Sequence, residues 1–257
     1  MTRAASGPAA PSLREALGQA ALPAPLVARI ATAFAYDSDL PAELPSGSRF
    51  RVVYEARTKA SLVAEAEIRC AAIDDGKKRH ELYRFEMRGG ALALVHDDGR
   101  GVAWIDLEKP VRGAPVTSPF GWRIHPVFGD LRFHRGIDLG AAAGTPVVAA
   151  ASGVVVAMGA RGNYGRLVVV RHDEHLETSY AHLAHFARGL HIGARVKRGQ
   201  RIGLVGRSGV ATGPHLYFEV AVDRVRIDPL TASAGFPIQL TTSELARLRH
   251  PGAPVSF

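Results

Sequence analysis

His134 and Asp138, separated by Arg-Gly-Ile, are the residues of this chain best suited to hold a metal. Imidazole nitrogen and carboxylate oxygen are good zinc donors. A zinc that does chemistry takes three protein ligands and keeps one position open. A four-residue spacing puts both side chains on one face of a helix or of a strand. Gly136 between them and Gly140 just after disfavour a helix. Phe133, Ile137 and Leu139 suit an extended segment, so the pair is expected on one face of a strand or strand-entry loop. A second stretch, Pro214 to Val220, alternates polar and apolar residues with high aromatic content, as strands do. Period two places His215, Tyr217 and Glu219 on one face and Leu216, Phe218 and Val220 on the other. Taken alone, each stretch fits a solvated surface at least as well as a site.

Their context changes that balance. Ser118-Pro-Phe-Gly-Trp-Arg-Ile-His-Pro126 precedes Phe133-His-Arg-Gly-Ile-Asp-Leu139. Gly162-Asn-Tyr-Gly165, Ser179-Tyr-Ala-His-Leu183 and Ala211-Thr-Gly-Pro-His-Leu-Tyr-Phe-Glu219 follow in order. This run, about residues 111–231, resembles the lysostaphin-type or LytM-type zinc metallopeptidases that cut peptidoglycan cross-links. The resemblance implies Zn2+ held by His134 and Asp138, with the third ligand at position 217. It also implies His215 as the proton-transfer residue and His182 as a stabiliser of the developing oxyanion. Arg123, His125, Asn163 and Tyr164 are then candidates to line the substrate groove.

The departure from the family pattern is Tyr217, which stands where the third ligand is a histidine. A phenol reaches farther than an imidazole and is neutral near pH 7 unless a cation lowers its pKa. Three readings stay open. Tyr217 binds zinc as phenolate; or Glu219, His172, His175 or His185 supplies the third bond; or the metal is lost. In the last case the domain is a degenerate module that binds peptidoglycan or activates a cell-wall amidase. Only one site residue is changed, which favours the enzyme, a peptidoglycan endopeptidase.

Composition bounds the remainder. At 257 residues the chain is long enough for one large or two small domains. No stretch is long and apolar enough to span a membrane. Cys70 is the single cysteine, so an internal disulfide is excluded. Net charge is +8, and no acidic residue occurs between Thr178 and Phe218, where Arg188, Arg195, Lys197, Arg198, Arg201 and Arg207 cluster. Such a basic surface attracts polyanions. A cell wall carrying free carboxylates fits, and no nucleic-acid motif accompanies the charge. The resemblance implies peptidoglycan as partner, an amidase or envelope regulator as a further one, and a place in the cell envelope or periplasm. The first residues lack the apolar segment of a signal peptide, so an N-terminus shortened downstream of an export signal is expected.

Along the chain, residues 1–11 are Ala/Pro/Gly-rich and expected to be disordered. Ser12-Leu-Arg-Glu15 resembles a capping box opening a short helix, and Leu26 to Phe34 has helical spacing. Strands are expected at Ser46 to Glu55, Ala64 to Ala72, Glu81 to Met87 and Ala91 to His96. Residues 12–110 therefore read as a small α+β domain. It resembles the domain that precedes the peptidase in Gram-negative murein endopeptidases, where it can cover the groove. Residues 111–231 read as strand after strand with Gly-rich turns, an antiparallel, mainly β domain. Residues 232–257 read as a C-terminal tail with a short helix near Thr241.

Overall fold

The computed structural model describes residues 2–9, 12–41, 43–55, 67–88, 91–124, 129–232 and 235–248. The chain divides into two compact units. The first comprises Met1–Glu86, Leu92–Trp104 and Gly235–Phe257, the second Met87–Ala91 and Ile105–Ala234. Every strand pairing among the described residues is antiparallel, as expected for the mainly β class.

The first unit opens with β1 (Thr2–Pro8), α1 (Leu13–Gln19) and α2 (Ala24–Ala35). It continues through β2 (Arg49–Glu55), β3 (Glu67–Asp74), β4 (Arg79–Glu86), β5 (Leu92–Val95) and β6 (Arg100–Trp104). The Ser12 side chain accepts from the Glu15 amide, which starts α1. Pro25 sits in the first turn of α2, where a missing N–H does no harm. The apolar stripe of α2 (Leu26, Ile30, Phe34) buries against Phe50, Val52, Leu82 and Leu94 of the sheet. One expectation needs correction: residues 2–8 are a strand rather than a disordered leader. They pair with β2 from Thr2 opposite Glu55 to Pro8 opposite Arg49. Main-chain bonds to a sheet edge make this pairing, so small, weakly hydrophobic side chains hide it from composition.

The second unit holds β7 (Val116–Ser118), β8 (Gly121–Ile124), β9 (Leu131–His134), β10 (Ile137–Gly140), β11 (Pro146–Val148) and β12 (Gly153–Ala160). Then follow β13 (Arg166–Arg171), β14 (Leu176–Phe186), β15 (Arg195–Val196), β16 (Arg201–Val205), β17 (His215–Val222) and β18 (Val225–Ile227). The main sheet runs β15-β12-β13-β14-β17-β10-β7, with β16 joining β14 to β11, β18 on β17, and β8 and β9 forming a separate hairpin. Val155, Val168, Val170, Tyr180, Ile202, Leu216 and Phe218 are buried in its core. The Tyr180 hydroxyl accepts from the Ala150 amide and from Thr178, so this buried phenol is satisfied.

Past the second unit the chain forms β19 (Phe236–Gln239) and α3 (Thr242–Leu248). Strand β19 pairs with β6 and extends the order of the first sheet to β1-β2-β3-β4-β5-β6-β19. The expected tail of residues 232–257 is therefore, in its described part, an integral strand and helix of the first unit. Residues 105–110, expected in the N-terminal domain, belong to the second.

Candidate metal and catalytic site

His134 ends β9 and Asp138 lies in β10, so of the two expected settings, a strand or a strand-entry loop, the pair is not on one strand. The chain turns at Arg135-Gly136 between them and still brings His134 Nε2 to 3.3 Å from Asp138 Oδ1. Gly136 makes that turn possible. A Cβ there would lie 2.3 Å from the Phe218 carbonyl oxygen, so only glycine permits the approach to β17. Strand β10 then sits beside β17 with Asp138 opposite Tyr217 and Gly140 opposite His215. His215 Nε2 lies 3.5 Å from the same Asp138 Oδ1.

In the β8–β9 hairpin, directly paired residues share a face. Arg123 pairs with Arg132, and Gly121 with His134. Arg123 reaches Asp138 Oδ2 at 3.6 Å. On the other face Trp122 pairs with Phe133, with their rings edge to face at 5.5 Å. Trp122 is 69% exposed at the rim of the site. The site opens into a cleft of about 630 Å³, a usual size for a small-ligand site. Arg132 and Arg135 line it besides Arg123, and among the described residues Asp138 is its only acidic one. Asn163 and Tyr164, in the 3-10 turn Gly162–Tyr164, also line it. His125 lies outside the described residues.

His182 faces the same cleft from β14. Its φ is 61°, a left-handed backbone rare for a non-glycine residue. Register shifts between Leu183 and His185 on β14, and between Arg166 and Val168 on its partner β13, flank it. Such irregularities re-aim side chains at functional sites. The His182 and His215 rings meet edge to face with centroids 4.8 Å apart.

The tautomers of these histidines follow from their partners. Nδ1 of His134 lies 2.7 Å from the Pro119 carbonyl, that of His182 2.8 Å from Ser208, and that of His215 2.9 Å from Gly213. A carbonyl only accepts, so each Nδ1 carries hydrogen and each neutral ring presents Nε2 as a lone pair. Anchoring one ring nitrogen in this way is how metal-binding and catalytic histidines are oriented. Burial lowers the pKa of His182 and keeps it neutral. A neutral ring with hydrogen on Nδ1 offers no Nε2–H to an oxyanion.

Tyr217 lines the cleft beside His134. Its hydroxyl donates to Glu219 Oε1 at 2.8 Å. Tyr164 donates to the same oxygen at 2.9 Å, and Arg226 reaches Oε2 at 3.2 Å. Glu219 is only 1% exposed, so this carboxylate depends on those three donors. Burial first, then the Glu219 charge, pushes the Tyr217 phenol far above its ordinary range. The same causes push Tyr164 up to about 12. The Tyr217 ring packs beside His134, centroids 5.1 Å apart, as a wall rather than a reaching donor. Glu219 was only one of several candidates by residue type; its alternation with His215 and Tyr217 was the signal in the sequence. The other candidates lie elsewhere. His172 is bound by Ser152 and Thr178, His175 pairs with Asp223, and neither these nor His185 lines the cleft.

Does this donor set suit zinc? Among the described residues no three His, Cys, Asp or Glu side chains surround one point as they stand. The Nε2 atoms of His134 and His215 nevertheless both face Asp138 Oδ1, each ring being anchored through Nδ1 to a carbonyl. Imidazole and carboxylate are good donors for a divalent metal, so the chemistry of this set suits one.

Residues 132–229 match Peptidase family M23. The chain is 34% identical over 242 residues to the DD-carboxypeptidase/endopeptidase Mpg of Neisseria meningitidis serogroup B, covering 91% of this chain and 55% of that protein. It is 30% identical over 223 residues to the peptidoglycan DD-endopeptidase ShyC of Vibrio cholerae, covering 82% and 48%. The chain thus spans about half the length of the curated relatives it matches. Among solved structures, a zinc containing peptidase from Vibrio cholerae aligns with a TM-score of 0.47 at 26% identity, over 89% of this chain and 69% of that one.

Proposed function

Since residues 132–229 form a domain of Peptidase family M23, we propose that the chain is a zinc-dependent endopeptidase that hydrolyses peptide cross-links of peptidoglycan in the cell envelope. The observation that carries this reading is the meeting of His134, Asp138, His182 and His215 at one cleft. The names of Mpg and ShyC support the substrate class.

His134 and Asp138 would hold the metal, which when bound supplies Lewis acidity toward water and toward the scissile carbonyl. The chain's own residues supply the rest. His182, anchored through Nδ1 to Ser208, accepts a proton from the attacking water and returns it to the leaving amine. His215 stands beside it and shares Asp138. Arg123, Arg132 and Arg135 give the cleft its positive lining, suited to the free carboxylates of stem peptides. Trp122 and Phe133 provide an apolar rim. An amidase or envelope regulator belongs to this proposal as a further partner.

The orientation of Tyr217 toward Glu219 favours one second reading, a metal-poor module that binds the wall without cutting it. Digestion of purified sacculi by the zinc-supplemented chain separates the two. Mass-resolved muropeptides should lose cross-linked dimers, and a chelator should stop the loss. Sacculi that bind the protein and keep every dimer would establish the second reading instead.

A further inference from the structure

We propose that Tyr217 is not a metal donor in this chain and that His215 supplies the third bond, leaving His182 as the proton carrier. The proposal rests on the reading that this domain binds a divalent metal, and it assigns the residues that do so.

The first argument concerns Tyr217. Its hydroxyl proton is committed to Glu219, which also gathers Tyr164 and Arg226. Turning the phenol oxygen to a metal would remove one donor from a buried carboxylate, and nothing else in this network would replace it. Leaving such a charge short of donors is expensive. The register agrees. Tyr217 stands opposite Asp138, yet its hydroxyl reaches Glu219, the next same-face residue of its own strand.

The second argument concerns His215. Its Nε2 and that of His134 lie 3.5 and 3.3 Å from Asp138 Oδ1. Neighbouring ligand atoms of a tetrahedral zinc, with bonds of about 2.0–2.1 Å, stand about 3.3 Å apart. Both spacings to the shared oxygen therefore already suit ligands of one ion. The backbone carbonyls of Pro119 and Gly213 hold both rings with the lone pair forward. What remains is the gap between the two histidines, since no three donors close on one point as they stand. A bound ion would draw the two Nε2 atoms together beside Asp138.

The assignment also divides labour between the paired imidazoles. If His215 gives its lone pair to the metal, that lone pair is no longer available to a proton. His182, one ring away and anchored to Ser208, is then the group left to move protons.

The test uses the full chain. Cobalt(II) is titrated and followed by its visible absorption, and zinc affinity is measured by competition with a chromophoric chelator. Tyr217→Phe, His215→Ala, His215→Asn and His182→Ala are compared with the unaltered chain, and circular dichroism verifies folding. Tyr217→Phe and His182→Ala should bind within about threefold of the unaltered chain. Both His215 variants should lose more than the about 10–100-fold that removal of a merely supporting residue costs, with a changed cobalt spectrum. Using two His215 substitutions keeps the test open if one misfolds. A large loss in Tyr217→Phe, or retained affinity in both His215 variants, overturns the proposal. Failure of the unaltered chain to bind either metal overturns it together with the metallopeptidase reading. Tight binding by the unaltered chain that is lost on Tyr217→Phe overturns this assignment alone.

Discussion

Asp138 and Tyr217 are direct cross-strand partners, yet the phenol oxygen bonds to Glu219 and not to the carboxylate opposite. The strand that supplies the changed residue thus also supplies the acceptor that holds it. Glu219 in turn links the floor of the cleft to the Tyr164 turn on its rim.

That network makes Glu219 a stability residue. Glu219→Ala leaves two phenols without their acceptor, and each such loss costs about 1–3 kcal/mol. Urea unfolding of the second unit should show a loss of about 2–6 kcal/mol on this basis. A change below about 0.5 kcal/mol, the usual size of a surface effect, would mean that the network is not holding the cleft wall.

Gly136 sets the approach of the two donor strands. Gly136→Ala should lower both thermal stability and zinc affinity, because the added carbon meets a backbone oxygen at 2.3 Å. Gly213→Ala is the control, since nothing lies within 4 Å of the added carbon. Equal melting temperatures for the two variants would contradict the close-packing argument.

Arg123 contacts Asp138 from the hairpin and faces the cleft. Arg123→Ala should raise KM for muropeptides with free carboxylates several-fold, and less for their amidated counterparts. Steady-state kinetics on the two substrates is the measurement. An identical rise for both would assign Arg123 to positioning Asp138 rather than to binding carboxylates.

The second unit should weaken in mild acid through His172. Burial holds this imidazole below its ordinary value of 6.5, while the unfolded chain takes up its proton near that value. As pH falls below about 6.5 the unfolded state binds more protons. The stability contributed by neutral His172 is therefore fully present above that point and is lost as pH falls toward the depressed folded value. Melting temperatures between pH 7.5 and pH 5 should fall more for the unaltered chain than for His172→Gln. Parallel curves would show that His172 is not the group responsible.

The site was legible in the sequence to different depths. Alternation placed His215, Tyr217 and Glu219 on one face of a strand, and β17 has that form. Gly136 argued correctly against a helix between His134 and Asp138, but the turn that separates β9 from β10 depends on contact with Phe218, about eighty residues away. The direction of the Tyr217 hydroxyl was hidden for the same reason. It depends on the depth of Glu219 in the fold, which residue type does not reveal. Pairings of the first unit were similarly silent. β1 joins β2 through its main chain, and β19 reaches β6 across the whole second unit.

The most direct test of the account is turnover of a purified, cross-linked muropeptide dimer by the unaltered chain and by His134→Ala, each supplied with zinc and followed by mass spectrometry. The account predicts monomers from the unaltered chain and a rate at least about 100-fold lower in the variant, as expected when a metal donor is removed from a hydrolytic site. Equal rates from the two, or no monomers from an unaltered chain that demonstrably holds its metal, would contradict it.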